Sequence, residues 1–292
     1  MTDKKTELKR LLIFLFFAFS LSWIPAIIFN KVLGYHDWFE TYKYPVTFWF
    51  MGYGPALANI ITRKLTHEGW KDSMLHLNLK RNLKYYLTAL FIISALSIPQ
   101  GVIVTFVYGN WADLGKSFTW QEASSAMLMI FAAAPLMAFN TFGEEFGWRG
   151  YMNQKMEPLI GTTGTVIVGG IIWGVWHAEL TVVGHNFGTD YPGYPYLGIF
   201  AMCVSCTFQG IGLMWLTKKT GAVYPAAIMH AMNNFGGNIT GQLLISGVPE
   251  DLTFSIPQML LTEIPSYIAY TVLLILMIRD NITADKPIKK YS

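Results

Sequence analysis

The sequence predicts an all-α polytopic membrane protein with about eight transmembrane helices, both termini cytoplasmic and a polar centre within the helix bundle. Three observations predict it. Of 292 residues, 53% are hydrophobic and only 13% charged, with a mean hydropathy of +0.37, whereas soluble domains carry about 25% charged residues. Apolar runs approaching the roughly 20 residues that cross a bilayer recur along the whole chain. Finally, 18 of the 21 Lys and Arg residues fall in alternate inter-span segments, which the positive-inside rule assigns to the cytoplasm.

The expected spans are 11–29, 45–62, 86–107, 123–143, 164–184, 196–216, 221–243 and 257–278. The first follows a basic start, Lys4, Lys5, Lys9 and Arg10. Its apolar run exceeds the about 7–15 residues of a signal-peptide core and lacks a small-residue cleavage site, so it reads as a retained helix. The second ends at Arg63 and Lys64. The inner segment 63–85 then mixes charge with Trp70, Leu75, Leu77 and Leu79, which suits a short interfacial amphipathic helix or a solvated loop. The third span is strongly apolar. The fourth, fifth and seventh are interrupted by polar clusters. The sixth holds Cys203 and Cys206, but a C-x-x-C inside a span lacks the water a redox pair needs and the further ligands a metal needs. Both cysteines are therefore expected to fill helix contacts. The eighth span leads to a basic tail.

Outer segments near 30–44, 108–122 and 184–195 are rich in Trp, Tyr, Gly and Pro, as interfacial anchors and turns are. Pro25, Pro55, Pro99, Pro135 and Pro265 imply kinks within spans. Glu179 and Glu263 are expected near outer helix ends, where water or a helix amino terminus serves them. Asn59, Gln100, Gln209 and Gln242 are expected to bridge helices. No internal repeat or low-complexity linker divides the chain, so residues 1–292 are expected to form a single integral membrane domain. The net charge of +3 reflects topology: basic residues sit at helix ends, with no compact basic domain for nucleic acid.

Three polar clusters interrupt the apolar pattern: Glu144-Glu145-Phe-Gly-Trp-Arg149, Trp173-Gly-Val-Trp-His177 and His230-Ala-Met-Asn-Asn234. Ionisable groups inside a membrane are costly, so they mark a functional site by default. Residues four apart share a helix face, which pairs Glu145 with Arg149 and leaves Glu144 without a helical cation. A spare buried carboxylate can serve as a general base. Trp173 shares a face with His177, as His230 does with Asn234. An imidazole and an amide can donate to a developing oxyanion. Asn233 points roughly a quarter-turn or more away and ranks below Asn234. Gly143, Gly147, Gly174 and Gly236–Gly237 permit the close helix approach that a compact polar centre requires.

These three motifs, in this order and membrane setting, resemble the CAAX-protease and bacteriocin-processing (CPBP, Abi) family of intramembrane glutamic endopeptidases, which includes Rce1-type prenyl-protein proteases. The resemblance covers a motif-bearing core over 123–243; Trp173 stands where the family more often has Phe. It implies a metal-independent membrane hydrolase with a catalytic centre in the bundle, opening toward the cytoplasmic side and needing no cofactor. Glu144 would activate water with His177 in support, His230 and Asn234 would form an oxyanion hole, and Glu145, Arg149 and Trp173 would support them. The implied partner is a prenylated CAAX protein or a membrane-anchored peptide met in the lipid bilayer of a prokaryotic cell, with no nucleic acid.

Other classes of protein use similar residues. Two glutamates and two histidines could ligate zinc, but H-E-x-x-H is absent and adjacent acids diverge on a helix. A proton-coupled transporter would use similar residues, yet predicts paired repeats that the sequence lacks. A catalytically silent immunity or regulatory protein could keep the fold. One geometric tension stands out. With spans at 123–143 and 164–184, Glu144 and His177 differ by about 20 Å in depth, so the fourth helix must extend or tilt, or the segment 144–163 must re-enter the membrane.

Overall fold

The computed structural model describes residues 3–32, 44–109, 112, 119–235, 241 and 254–283. Among these, every regular element is helical: α1 (Lys4–Val32), α2 (Tyr44–Leu65), α3 (Leu79–Tyr108), α4 (Trp120–Gly147), a π-helical turn (Trp148–Met152), α5 (Asn153–Trp176), a single turn α6 (Ala178–Thr181), α7 (Tyr196–Thr220), α8 (Tyr224–Phe235), α9 (Ile256–Thr262) and α10 (Ile264–Thr283). Four helical stretches are long and apolar enough to cross a membrane: Lys4–Val32, Leu79–Tyr108, Leu136–Trp176 and Tyr196–Thr220. The pair α9 and α10, bent by 55° at Glu263, makes a fifth if taken as one broken span. Large apolar side chains such as Phe16, Phe106, Leu136 and Ile268 project outward, as lipid-facing surfaces require.

The eight expected spans thus map unevenly onto the helices. The second corresponds to α2. The seventh, 221–243, begins with the 12-residue α8, while 236–240 and 242–243 lie outside the described residues, as do Gly236–Gly237 and Gln242. The fourth and fifth need correction. Helical structure continues past 143 through the π turn as far as the break at Gly161, where φ is 70° and ψ 175°. That positive φ suits a residue without Cβ. The chain reverses there: Gly169 returns beside Met152 and Asn153, and the Trp173 indole meets Glu144. Glu144 lies 17 residues before the break and His177 16 residues after it. The two arms match, which removes the expected difference in depth. The fifth span also ends early, because α5 stops at Trp176 and His177 is its cap.

Close backbone contacts set the positions of α4 and α5. A Cβ on Gly143 would lie 2.5 Å from the Gly52 carbonyl oxygen, and one on Gly147 would lie 2.3 Å from Pro55 Cβ. A Cβ on Gly174 would fall 2.4 Å from Cys203 Cα, and one on Gly170 2.4 Å from Thr207 Cα. Glycines therefore press α4 onto α2 and α5 onto α7. The C-x-x-C accordingly belongs to packing: Cys203 backs Gly174, and both cysteines are free thiols.

The segment 66–78 forms no helix; of the two expected forms, amphipathic helix or loop, it takes the loop, folded around Arg63. The Arg63 guanidinium donates to the Gly69 carbonyl at 2.9 Å and the Asp72 carbonyl at 3.2 Å, and its Nε to Asn59 Oδ1 at 2.8 Å. Asn59 in turn donates to the Phe146 carbonyl at 2.8 Å, beside the π turn, where the wider hydrogen-bond spacing alters the backbone ladder. Glu68 from this loop receives Lys155 Nζ at 2.5 Å and the Tyr151 hydroxyl, with Arg10 Nε at 3.6 Å. Lys218 pairs with Glu157, and Lys219 with Asp280 at 2.6 Å. Residues assigned to the inner side thereby meet one another across the bundle. Arg149, counted among the inner-loop cations, lies buried within the π turn instead.

Candidate active site

The last turn of α4 and the π turn that follows place three ionisable groups of the first cluster in the interior: Glu144 is 3% exposed, Glu145 0% and Arg149 3%. Glu145 and Arg149, four residues apart, pair at 3.0 Å through Oε1 and Nη1. The same Oε1 lies 2.9 Å from His230 Nδ1, leaving Oε2 without a partner among the described residues. The Arg149 guanidinium also sits 4.0 Å above the Trp173 ring, a desolvated cation–π contact.

Glu144 points the other way. Its Oε2 accepts from Trp173 Nε1 at 2.7 Å. A cavity of about 580 Å³ opens beside it, lined also by Trp173, His177, His230, Asn233 and Asn234. Four predicted catalytic residues, Glu144, His177, His230 and Asn234, therefore share one cavity, while Glu145 and Arg149 stand behind its wall.

Each imidazole is oriented by one nitrogen. His177 Nδ1 lies 2.9 Å from the Trp173 carbonyl; a carbonyl only accepts, so Nδ1 carries the proton and Nε2 keeps its lone pair. Cys206 Sγ is 3.9 Å from the same Nδ1, and the Trp176 ring meets the imidazole edge-on at 4.8 Å. His230 is bound through Nδ1 to Glu145, which does not line the cavity; its remaining nitrogen is the one available to a ligand. Asn233 Nδ2 donates to Asn234 Oδ1 at 3.3 Å, and the Asn234 amide hydrogens meet no acceptor among the described residues. The two asparagines are thus adjacent on the cavity wall, with the sequence-preferred Asn234 holding the unused donor.

Several wall residues escaped the sequence reading. His185 and Asn186, expected in an outer loop, turn inward, and the His185 ring stacks on His177 with centroids 6.3 Å apart at 7°. Glu263, expected in water near a helix end, lines the cavity with Gln100 and Ser266. The signal for His185 was an imidazole within a glycine-flanked turn eight residues after His177. For Glu263 it was a lone carboxylate in an apolar run. Neither reveals what it faces. No group of three or more His, Cys, Asp or Glu residues arranged to hold a metal ion occurs among the described residues.

Comparison with known proteins bears out the resemblance carried by the three motifs. Residues 124–236 match the family model for type II CAAX prenyl endopeptidase Rce1-like proteins. Lysostaphin resistance protein A of Staphylococcus haemolyticus is 27% identical over 146 residues, covering 49% of this chain and 37% of that protein. Its Staphylococcus epidermidis counterpart is 28% identical over 143 residues, covering 48% and 34%. CAAX prenyl protease 2 of Methanococcus maripaludis is 28% identical over 141 residues, covering 48% of each chain. The match thus spans between a third and a half of the length of these curated relatives. The matched stretch carries the site from Glu144 to Asn234, and these likenesses support a membrane protease.

Proposed function

We propose, taking the Rce1-like match of residues 124–236 as premise, that this protein is an intramembrane endopeptidase in which Glu144 activates the attacking water. The observation that carries the reading is the Glu144 carboxylate: buried, turned into the cavity and held at one oxygen by Trp173 at 2.7 Å. The other oxygen remains for water. The bilayer supplies the substrate's route, with a prenylated carboxyl terminus or a membrane-anchored peptide reaching the cavity beside Glu144.

In this mechanism Glu144 takes a proton from water as its oxygen bonds to the scissile carbonyl carbon. His177, with a lone pair on Nε2, orients that water. Negative charge develops on the carbonyl oxygen, which accepts from the Asn234 amide and from His230. Donation by His230 at Nε2, while Nδ1 donates to the Glu145 carboxylate, requires the imidazolium form. Arg149, Glu145 and His230 then sum to one positive charge, presented to the oxyanion through His230, which favours the transition state in a low-dielectric site. Collapse breaks the C–N bond, and Glu144 returns its proton to the leaving amine. The products are a new carboxylic acid, which keeps the second water proton until it ionises, and a new amine. All polar groups needed come from the chain, and no metal step is invoked.

A second reading rests on the relatives named lysostaphin resistance protein A: a chain that keeps the site and serves resistance without hydrolysis. One experiment separates them. Purified protein is offered a farnesylated C-a-a-X peptide, an unprenylated control and a membrane-anchored leader peptide, beside the Glu144→Gln variant. Cleavage by the unaltered protein and loss of at least about 10²-fold in the variant is the expected outcome. Equal turnover by folded Glu144→Gln removes Glu144 as base, and no turnover of any peptide favours the non-hydrolytic reading.

A further inference from the structure

The catalytic cavity has a second carboxylate that the mechanism does not use. Glu263 sits at the 55° bend between α9 and α10 and lines the cavity that Glu144 lines. Its Oε2 accepts from Gln100 Nε2 at 2.6 Å, and the same nitrogen lies 2.7 Å from Ser266 Oγ. Gln100 comes from the middle of α3, so three elements meet at this carboxylate. No Lys or Arg side chain pairs with Glu263 among the described residues. Glu263 is half-buried, and a carboxylate withdrawn in part from water without a basic partner is open to a cationic ligand.

The rest of the wall sharpens the contrast. Among the described residues, no Lys or Arg lines this cavity; its polar lining is two carboxylates, three imidazoles, amides, hydroxyls and a thiol. The Arg149 cation is screened from it by the Trp173 ring. A cavity that held the free carboxylate of a peptide end would ordinarily present a guanidinium or ammonium to it. This one presents the opposite charge.

We infer that Glu263, set by Gln100 and Ser266, is a binding subsite for a cationic side chain, the ammonium of Lys or the guanidinium of Arg, on the substrate chain near the bond that Glu144 attacks. The inference rests on the protease reading for the word substrate, and on the cavity alone for the subsite. It also assigns a polarity to recognition. A peptide whose terminal carboxylate enters the cavity meets two carboxylates and no Lys or Arg among the described residues, so an internal bond flanked by a basic residue is preferred over one beside a free acid end.

The test uses full-length protein in detergent and a farnesylated heptapeptide in which one position is Lys, norleucine or Glu, scanned across the residues flanking the farnesyl-cysteine. Each peptide is made with an amidated and a free carboxyl end. Binding is measured to Glu144→Gln protein, through the fluorescence of the tryptophans that line the cavity, and cleavage to unaltered protein. The expected result is at least tenfold tighter binding of Lys over norleucine at one or more positions. Glu should be weakest, and free acids should bind several-fold worse than amides. Adding Glu263→Gln should erase the Lys preference, and Glu263→Lys should shift it to Glu. Equal binding of Lys and norleucine at every position overturns the subsite, as does a Lys preference that survives Glu263→Gln. The first comparison needs no change at 263, so it decides even if those variants fail to fold. Lys-selective binding without any cleavage overturns the protease reading and keeps the subsite; cleavage without Lys selectivity does the reverse.

Discussion

Trp173 holds Glu144 by its indole N–H at 2.7 Å while the other face of the same residue carries the Arg149 guanidinium at 4.0 Å from the ring. One aromatic side chain thereby separates the carboxylate proposed to handle protons from the ion pair proposed to supply charge. The tryptophan combines a donor for Glu144 with a π face for Arg149, whereas phenylalanine offers only the face.

Trp173→Phe tests the first of these roles. The substitution keeps the stacking surface and removes the hydrogen bond to Glu144 Oε2. A buried hydrogen bond to a charged group is worth about 1.5–3 kcal/mol, so kcat should fall roughly tenfold or more as Glu144 loses its orientation. The melting temperature should change far less than in the Arg149 variant below. Steady-state kinetics beside a thermal melt measures both; an unchanged kcat would remove the orienting role.

Arg149→Ala should unfold the site. Among the described residues it leaves Glu145 with His230 as its one remaining partner and with Oε2 already unpaired. Breaking a buried ion pair from one side costs about 3–5 kcal/mol. The melt in detergent should drop accordingly, and the double variant Arg149→Ala with Glu145→Gln should recover part of the loss, since it no longer strands a charge. Additive destabilisation by the two changes would refute the coupling.

Gly174→Ala probes the α5–α7 contact. The added Cβ would sit 2.4 Å from Cys203 Cα and 2.6 Å from its backbone nitrogen, so the helices must separate. Overpacking of this kind costs about 1–3 kcal/mol. Separation would also carry Trp173 and His177 away from Glu144, so activity should fall more steeply than stability. Gly161→Ala makes a useful contrast, because nothing lies within 4 Å of its would-be Cβ but its φ is +70°; it should strain the turn without pushing helices apart.

Acid sensitivity should arise at Glu68, outside the spans. Burial pushes this carboxyl up, but the hydrogen bonds from Lys155 and Tyr151 and the charges of Lys155 and Arg10 outweigh it, leaving the group below its ordinary 4.5. A carboxylate depressed in the folded state contributes stability that is fully present above its unfolded value and is lost as pH falls through the folded one. Melts should therefore be flat near neutrality and decline below about pH 4.5. Glu68→Gln should be less stable at neutral pH and show a shallower acid decline. Parallel pH curves for the two proteins would exclude Glu68 as the source.

The sequence made different parts of this molecule legible to different degrees. The Glu145–Arg149 pair could be read because it depends only on local helix spacing. The gathering of Glu144, His177, His230 and Asn234 could be expected from the order of the motifs, but its geometry could not, since it depends on where α4 ends. Apolarity falls near 143, which suggested a helix end there. In fact helical structure continues because its polar side chains find partners on neighbouring elements: Glu144 meets Trp173, Glu145 meets His230, and beyond the π turn Tyr151 and Lys155 meet Glu68. Gly161 is one of eight glycines between 143 and 174, and hydropathy alone does not single it out as the turn. His185 and Glu263 were misplaced for a related reason. Each lies beside an apparent helix end, and only assembly shows that the adjoining turn faces inward.

The reversal at Gly161 also constrains how this chain can change. His177 and Glu144 face each other across two limbs of nearly equal length, like the tips of a pair of calipers hinged far from what they grip. Deleting one residue from either limb would slide its tip by about 1.5 Å and swing it by about 100°, which no side-chain adjustment repairs. Extra residues at the hinge itself would leave both tips where they are. Length variation among functioning descendants of this sequence should therefore collect at the turn around 161 and be purged from 145–160 and 162–176, even at positions that never touch a substrate.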